Sequence, residues 1–175
     1  KAGGDRYVFE PTLSPELNSV YGKRTKWNFN PSLGFRWNLG YEKFMQRFAN
    51  LDRMGIRITW GQVVKYKATR YDVYGTYDVK DSYTYNGESY IPINFDKLPN
   101  VQLDPVRTTT WNLGYEFSMF NGRLGADIDA YYRQIDNQIS SVKLPDHSGF
   151  DKVTSTDVSL VNYGLEVSLT GKPLP

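Results

Sequence analysis

The stretch VSLVNYGLEVSLTG, Val158–Gly171, decides the fold class because its side chains alternate in polarity with a period of two. One face is apolar and the other is polar or small, with Tyr163, Leu165, Val167 and Leu169 set against Gly164, Glu166, Ser168 and Thr170. This alternation predicts an antiparallel strand with one dry face. It does not say whether the dry side meets a protein core or lipid.

The composition excludes several classes of protein. Aromatic residues make up 15% of the 175 residues and there are 15 glycines, a bias towards strands and turns. A net charge of +2, with both signs spread along the chain, gives no basic stripe, so no nucleic-acid partner is expected. The lack of cysteine excludes disulfides and thiolate metal sites, and we expect no cofactor. No apolar run approaches the ~20 residues of a membrane helix, so a membrane-crossing form would have to use strands.

Period-two alternation predicts six strands along the chain. They are Arg6–Leu13, Asn28–Leu39, Met54–Gly61, Thr109–Met119, Arg123–Arg133 and Val158–Gly171. Pro11 and Pro31 weaken the first two, because proline cannot donate to a sheet ladder. The dipeptide Asn121-Gly122 predicts a tight hairpin between the fourth and fifth strands.

The connections distinguish a membrane barrel from a soluble sheet. If the first strand runs upward, long connections at 14–27, 62–106 and 143–157 lie at its upper end, and short ones lie below. Outer-membrane barrels have this asymmetry, and a structureless loop of about 45 residues is uncommon in a soluble domain. A helical turn is predicted at Tyr41–Phe48. Aromatic residues predict two interfacial girdles, Phe29, Trp60, Trp111, Tyr132 and Tyr163 above and Trp37, Phe117 and Phe120 below.

Four segments, taken in order, resemble a known family. KWNFNPSLGFRWNL, MGIRITWGQV, RTTTWNLGYEFSMFNGRLGADIDAYYRQIDNQI and LVNYGLEVSLTGKPL are similar to the C-terminal half of the barrel of SusC-like (SusC/RagA) TonB-dependent outer-membrane transporters. The most specific parts are Trp111–Arg133 and Val161–Val167, and the resemblance covers most of the chain. The stretch 62–105 and Pro11 match the family pattern least.

The resemblance implies that residues 1–175 are about six strands of a roughly 22-stranded antiparallel transmembrane β-barrel in the bacterial outer membrane. It implies TonB-dependent import of an oligosaccharide or peptide, with a SusD-like surface lipoprotein closing over the mouth. The plug domain and the segment that engages the TonB complex are not among these residues. Outer-membrane lipid would surround the wall.

The candidate functional residues fall into two groups. The charged residues of the polar face are expected to face the lumen: Arg36, Arg57, Glu116, Asp127, Asp129, Arg133 and Glu166. The stretch 62–105 is predicted to be a long, polar, extracellular loop with seven tyrosines between Tyr66 and Tyr90. The candidates for contact with substrate or lipoprotein are Tyr71, Tyr74, Tyr77, Tyr83 and Tyr85. Alternating tyrosines such as Tyr83 and Tyr85 would equally extend a hairpin above the membrane.

Covalent chemistry has little support in the sequence. His147, the only histidine, lies between Asp146 and Ser148 in a stretch more typical of a turn than of a catalytic triad. Asp127 and Asp129 are better interpreted as lumen-wall charges than as an acid and base pair. We therefore expect neither an enzyme nor a metal site. Two alternatives stay open, a soluble all-β glycan-binding module and an outer-membrane barrel enzyme.

Overall fold

The computed structural model describes residues 6–20, 27–48 and 50–172, and its main feature is one six-stranded antiparallel sheet. The strands and the α-helix are, in chain order, β1 Tyr7–Glu16, β2 Asn28–Asn38, β3 Leu51–Lys65, α1 Arg70–Tyr74, β4 Thr76–Val79, β5 Tyr83–Tyr85, β6 Glu88–Tyr90, β7 Ile93–Lys97, β8 Val106–Met119, β9 Leu124–Lys143 and β10 Lys152–Gly171. The sheet order β1-β2-β3-β8-β9-β10 makes each long strand the neighbour of the next. The prediction of six antiparallel strands in an all-β fold is confirmed.

The strand register turns the period-two pattern into continuous rows across the sheet. One apolar row runs through Phe35, Ile58, Leu113, Ala130 and Leu165, each opposite the next. Residues directly opposite each other share a face, so the apolar face is continuous over all six strands. This face is open rather than packed, since Leu165 is 66% exposed and Leu169 is 78% exposed.

Four of the five residues in the predicted upper aromatic girdle form a single row of paired residues across the sheet. Trp60, Trp111, Tyr132 and Tyr163 lie opposite one another on β3, β8, β9 and β10. The rings of Trp60 and Trp111 are 5.9 Å apart. Phe29 lies higher, opposite Pro15 and two same-face steps above the position of β2 that pairs with Trp60.

Both prolines lie within strands of the sheet. Pro11 lies in β1, opposite Leu33 of β2. Pro31 lies one residue beyond the β2–β3 ladder, which begins at Ser32 opposite Gly61. The Asn30 side chain extends that ladder, because its Oδ1 accepts a hydrogen bond of 2.8 Å from the Val64 amide.

The last two long strands extend much further upward than the polarity pattern predicts. β9 continues ten residues past Arg133, and β10 begins at Lys152 rather than Val158. Backbone pairing does not need apolar side chains, so the ladder persists where the pattern ends. Each strand has 20 residues, about twice the 9–11 needed to cross a bilayer. Irregularities in the register and a positive φ of 57° at Asn137 mark bulges in this upper ribbon.

The long connection, predicted as a polar loop in which Tyr83 and Tyr85 would equally extend a hairpin, contains regular secondary structure. It begins at Tyr66, because β3 continues to Lys65, and we refer to residues 66–105 as the cap. The cap contains α1 and two nested hairpins, β4–β7 and β5–β6. Asn86 and Gly87, with φ of 53° and 82°, form the two-residue turn of the inner hairpin. The same Asn-Gly signal predicts the turn at 121–122, and at 86–87 it was the available indication of the inner hairpin.

A small core joins the cap to other upper segments. Its buried members are Ala68, Val73 and Leu103, and Val20, Tyr66 and Ile139 pack against them. Val20 follows β1, while Ile139 belongs to the upper part of β9. The apolar cluster therefore brings together segments that are far apart in the chain.

The lower connections lie at residues 39–50 and 120–123. The first contains two 3-10 turns, Leu39–Tyr41 and Met45–Arg47, in the region where a helical turn is predicted, and it is longer than the upper connection 144–151 between β9 and β10. The hairpin between β8 and β9 has four residues, 120–123, with positive φ at Phe120, Asn121 and Gly122. Among the described residues, no helix is both long and apolar enough to cross a membrane.

Candidate functional site: a charged wall and its cap

Six of the seven predicted lumen residues lie together on the polar face of the sheet. One row runs through Arg36, Arg57, Gly114, Asp129 and Glu166. The adjacent row contains Gly55, Glu116 and Asp127. The seventh residue, Arg133, lies opposite Thr110 and Asn162, two same-face steps higher.

The arginines of this cluster form ion pairs that skip a strand. Arg57 on β3 reaches over β8 to Asp129 on β9, with 2.7 Å between Nη2 and Oδ1. Arg36 on β2 pairs with Glu116 on β8, across β3. Neighbouring strands are ~4.8 Å apart, so these partners stand roughly twice that distance apart, and long side chains are needed to join them.

Glycines leave the space through which these pairs pass. A Cβ at Gly114 would lie 2.8 Å from Asp129 Oδ1 and 3.0 Å from Arg57 Nη2. A Cβ at Gly55 would lie 3.0 Å from Glu116 Oε1. Gly114 and Gly55 therefore mark the places where the two ion pairs pass over a strand.

The ion pairs set the charge pattern of the wall more than its stability. The side chains of Arg57 and Asp129 are 50% and 29% exposed, and exposed pairs contribute only about 0–1 kcal/mol. Within the described residues, neither Asp127 nor Glu166 makes an ion pair. In this part of the wall the charges of Arg36 and Arg57 are therefore balanced by their partners, and the carboxylates of Asp127 and Glu166 stand beside these pairs.

Asp72 is the polar centre of the cap. The Thr69 amide donates to its Oδ2 at 2.7 Å, and its own amide donates to Thr69 Oγ1 at 3.3 Å, forming a capping box at the start of α1. The other carboxylate oxygen accepts hydrogen bonds from Lys97 and, at 3.5 Å, from Thr154 Oγ1 on β10. One carboxylate therefore joins the helix, the stem of the outer hairpin and the main sheet.

The surroundings of Asp72 favour its ionised form. Burial of Asp72 alone would raise the pKa of its carboxyl, but the hydrogen bonds from Lys97 and Thr69 outweigh burial. The pKa consequently lies below its ordinary value of 3.8.

Further hydrogen bonds fix the cap to the upper end of β10. Asn100 Nδ2 donates to the Thr154 carbonyl at 2.8 Å, and the Asp104 amide donates to Thr156 Oγ1 at 3.4 Å. Thr156 is buried beneath this contact. The cap is thus held against the sheet from its helix to its last residues.

The five predicted contact tyrosines are exposed and lie on three different elements of the cap. Tyr71 and Tyr74 lie on α1, Tyr77 on β4, and Tyr83 and Tyr85 on β5. Two of them have ring partners that were not predicted from the sequence. Tyr77 lies 4.5 Å from Phe95 and Tyr83 lies 5.8 Å from Tyr90, measured between ring centroids. Alternation in the stretch Ile91–Phe95 was the available signal for the second strand of the outer hairpin.

The His147 segment is a turn. Residues Asp146–Ser148 form a 3-10 turn that ends at Gly149 with φ of 75°. Ser148 Oγ donates to the Phe150 carbonyl at 3.0 Å, so its hydroxyl serves the turn itself. Within the described parts of the chain, no group of three or more His, Cys, Asp or Glu residues could hold a metal ion.

We predict that Gly114→Ala breaks the Arg57–Asp129 pair, because the added methyl group would occupy the space between the two side chains. The expected cost is about 1 kcal/mol, read as a lower midpoint of thermal unfolding of the purified protein. Gly125→Ala is the matched control, since its Cβ would meet neighbours no closer than 3.5 Å. If Gly114→Ala cost as much in an Arg57→Ala background, the glycine would not serve the ion pair.

We also predict that acid loosens the cap. Because the folded-state pKa of Asp72 lies below its unfolded value, ionised Asp72 stabilises the cap above pH 3.8, and this stabilisation is lost as the pH falls through the lowered folded pKa. Hydrogen exchange of residues 66–105, corrected for intrinsic rates, measures the loss. Asp72→Asn should exchange faster at neutral pH and lack this acid transition, whereas Asp78→Asn should retain it. An unchanged transition in Asp72→Asn would contradict the assignment.

Comparison with known proteins places the sheet in a family. The profile described as "TonB dependent receptor-like, beta-barrel" matches residues 4–173. The TonB-dependent receptor SusC of Bacteroides thetaiotaomicron is 32% identical over 174 residues, which cover 97% of this chain and 17% of SusC. The TonB-dependent receptor P26 of Formosa agariphila is 27% identical over 165 residues, covering 94% of this chain and 17% of the relative.

Solved structures agree on the fold. The RagAB peptide importer in its "closed-closed" state matches with a TM-score of 0.84 at 21% identity, over 97% of this chain and 18% of the matched chain. The "open-open" state of the same importer matches with a TM-score of 0.79, at 22% identity, over 94% of this chain and 18% of the matched chain. The chain thus spans less than a fifth of the length of these proteins. With its SusC-like sequence and its meandering sheet, the chain belongs to the TonB-dependent receptor β-barrel family.

Proposed function

We propose that this chain is part of the wall of a SusC-like, TonB-dependent importer in the bacterial outer membrane. The observation that carries the proposal is the open apolar face of six strands, with aromatic residues in one row and the charges on the opposite face. A soluble binding module would have to bury such a face. In a barrel wall this face contacts lipid, and the polar face lines the lumen.

The cap and the tight turn at 120–123 support an orientation for the wall, because barrels of this kind have short turns in the periplasm and long loops outside. In this orientation the cap and the rest of the stretch 62–105 are extracellular, and the connections at 39–50 and 120–123 face the periplasm. The open edges at β1 and β10 pair with further strands of a longer barrel, because unpaired backbone groups are costly in lipid.

For the cargo, we propose an oligosaccharide or a peptide, captured together with a SusD-like surface lipoprotein. Similarity to SusC supports this class of importer, and the structures that match at the level of fold are described as a peptide importer or transporter. The exposed tyrosines of the cap suit either cargo, since each presents a large rigid ring and a hydroxyl. The wall has no proposed covalent chemistry, and energy coupling through TonB belongs to other parts of such a protein.

The first test asks which face of the sheet contacts lipid and which lines the lumen. Leu165 and Glu166 are neighbours in β10 with opposite predicted environments, lipid and lumen. In the full-length transporter in intact membranes, Glu166→Cys should react with a small, water-soluble, membrane-impermeant thiol reagent, and Leu165→Cys should not. Both should react after unfolding, which controls for expression. Efficient labelling of Leu165→Cys in the folded protein would refute the assignment.

The second test concerns the tip of the cap. Residues 81–91 form the inner hairpin and its flanks, and they lie beyond the core of Ala68, Val73 and Leu103. Replacing 81–91 with an Asn-Gly turn should leave the amount of barrel in the membrane unchanged and reduce uptake or lipoprotein co-purification. Deleting 70–95 would be less informative, since it removes Val73 and Asp72. Wild-type uptake and co-purification without the tip would place recognition elsewhere.

A further inference from the structure

The lower connections of the sheet form one continuous edge, which we call the lower rim: Arg6, residues 39–48, Asn50, residues 120–123 and Lys172. Backbone hydrogen bonds join its parts. The Asn38 amide donates to the Arg6 carbonyl at 2.9 Å, the Phe120 amide to the Asn50 carbonyl at 2.9 Å, and the Lys172 amide to the Arg123 carbonyl at 2.8 Å. The backbone of the rim is therefore continuous along this edge of the wall.

The lower rim is strongly basic. It contains the exposed residues Arg6, Lys43, Arg47, Arg123 and Lys172, against the carboxylate of Glu42 and that of Asp52 on β3, whose Oδ2 accepts a hydrogen bond of 2.8 Å from the Gly122 amide. In the upper connections, by contrast, acidic and basic residues are nearly balanced along the sequence. The chain has little net charge, so the excess at the rim is a local feature.

Glu42 connects the lower rim to the apolar face. Its Oε1 accepts hydrogen bonds from Tyr7 Oη at 3.0 Å and from Trp37 Nε1 at 3.1 Å. Tyr7 and Trp37 belong to one row of the apolar face, with their rings stacked 6.2 Å apart. Amphipathic rings whose polar ends point the same way are typical of the level where hydrocarbon meets headgroups.

Arg6 stands at the same level. Its Nε lies 3.8 Å from Glu42 Oε1, and its side chain is 47% exposed. Arg6 thus pairs with the same carboxylate oxygen that accepts hydrogen bonds from Tyr7 and Trp37. A planar guanidinium at this position can bind a phosphate by two parallel hydrogen bonds.

Exposed aromatic residues of the rim favour a membrane surface over water. Phe44 and Phe120 are 56% and 45% exposed, and neither ring has a polar group. Basic residues combined with exposed aromatic ones are a pattern of protein surfaces that contact anionic headgroups.

We propose that the lower rim binds the phosphate groups of anionic phospholipids in the periplasmic leaflet, with Arg6 at the centre and Lys43 and Arg47 beside it. The proposal rests on the orientation given under Proposed function. Its support is the charge of the rim and its continuity with the apolar face. Phospholipid headgroups supply anionic phosphate at the depth that Glu42, Tyr7 and Trp37 mark.

The test uses the full-length transporter, purified in a neutral detergent and mixed with equal amounts of phosphatidylglycerol and phosphatidylcholine. Native mass spectrometry counts the lipids that stay bound. The wild-type protein should retain more phosphatidylglycerol than phosphatidylcholine. The triple variant Arg6→Gln, Lys43→Gln, Arg47→Gln should retain the two equally. A matched upper variant, Lys67→Gln, Arg70→Gln, Lys143→Gln, removes the same charge and should keep the wild-type preference.

Further arms identify the ligand as lipid. Free glycerol phosphate at the same concentration should not displace phosphatidylglycerol, and ~1 M salt during mixing should weaken the preference, because screening shortens the reach of exposed charges. No preference in the wild type, or equal loss in both triple variants, would overturn the proposal.

Uptake separates this proposal from the proposed function. A transporter that imports its cargo without any phosphatidylglycerol preference would refute only the lipid site. A lower-rim variant that lost uptake but kept the preference would assign the rim to a protein partner, and would likewise overturn the proposal.

Discussion

The pairing register of the long strands is the constraint on which the rest of this structure depends. Because side chains alternate with a period of two, a slip of one residue would move the apolar set of a strand to the opposite face. The observed register keeps Ile58, Leu113 and Leu165 in one row and Arg57 and Asp129 in the next row of the other face. A single choice of pairing thus creates both an apolar surface and a charged wall.

In the charged wall, glycines leave space for the long side chains of other strands. Arg57 reaches Asp129 only because Gly114 leaves the intervening strand without a side chain, and Gly164 likewise lies under the ring of Tyr131. A glycine in a strand weakens local β preference, but here it lets side chains from next-nearest strands meet. The polar face is therefore organised across the strands as well as along them, and its ion pairs depend on more than two positions each.

The cap has a different physical basis from the wall. The strands are joined by a ladder of backbone hydrogen bonds, whereas the cap depends on a small core around Val73 and on the hydrogen bonds of Asp72. A carboxylate that joins a helix, a hairpin and a strand can position an exposed surface without a large apolar interior. The tyrosines of the cap are consequently displayed on an anchored support, and they can remain exposed because the core lies beneath them.

The sequence by itself determined the six long strands, their order and their two faces, because strict alternation and Asn121-Gly122 act over a few residues. It also indicated the family through segments such as Val161–Val167. Only the tertiary structure decided what depends on distant partners: the pairing of Arg57 with Asp129 over Gly114, and the folding of the cap around Asp72. Arg57 and Asp129 are 72 positions apart and Asp72 and Thr154 are 82 apart, and no local pattern specifies which of several distant partners will meet. The full length of β9 could not be predicted for a related reason, since a strand with polar side chains on both faces has no alternation of polarity.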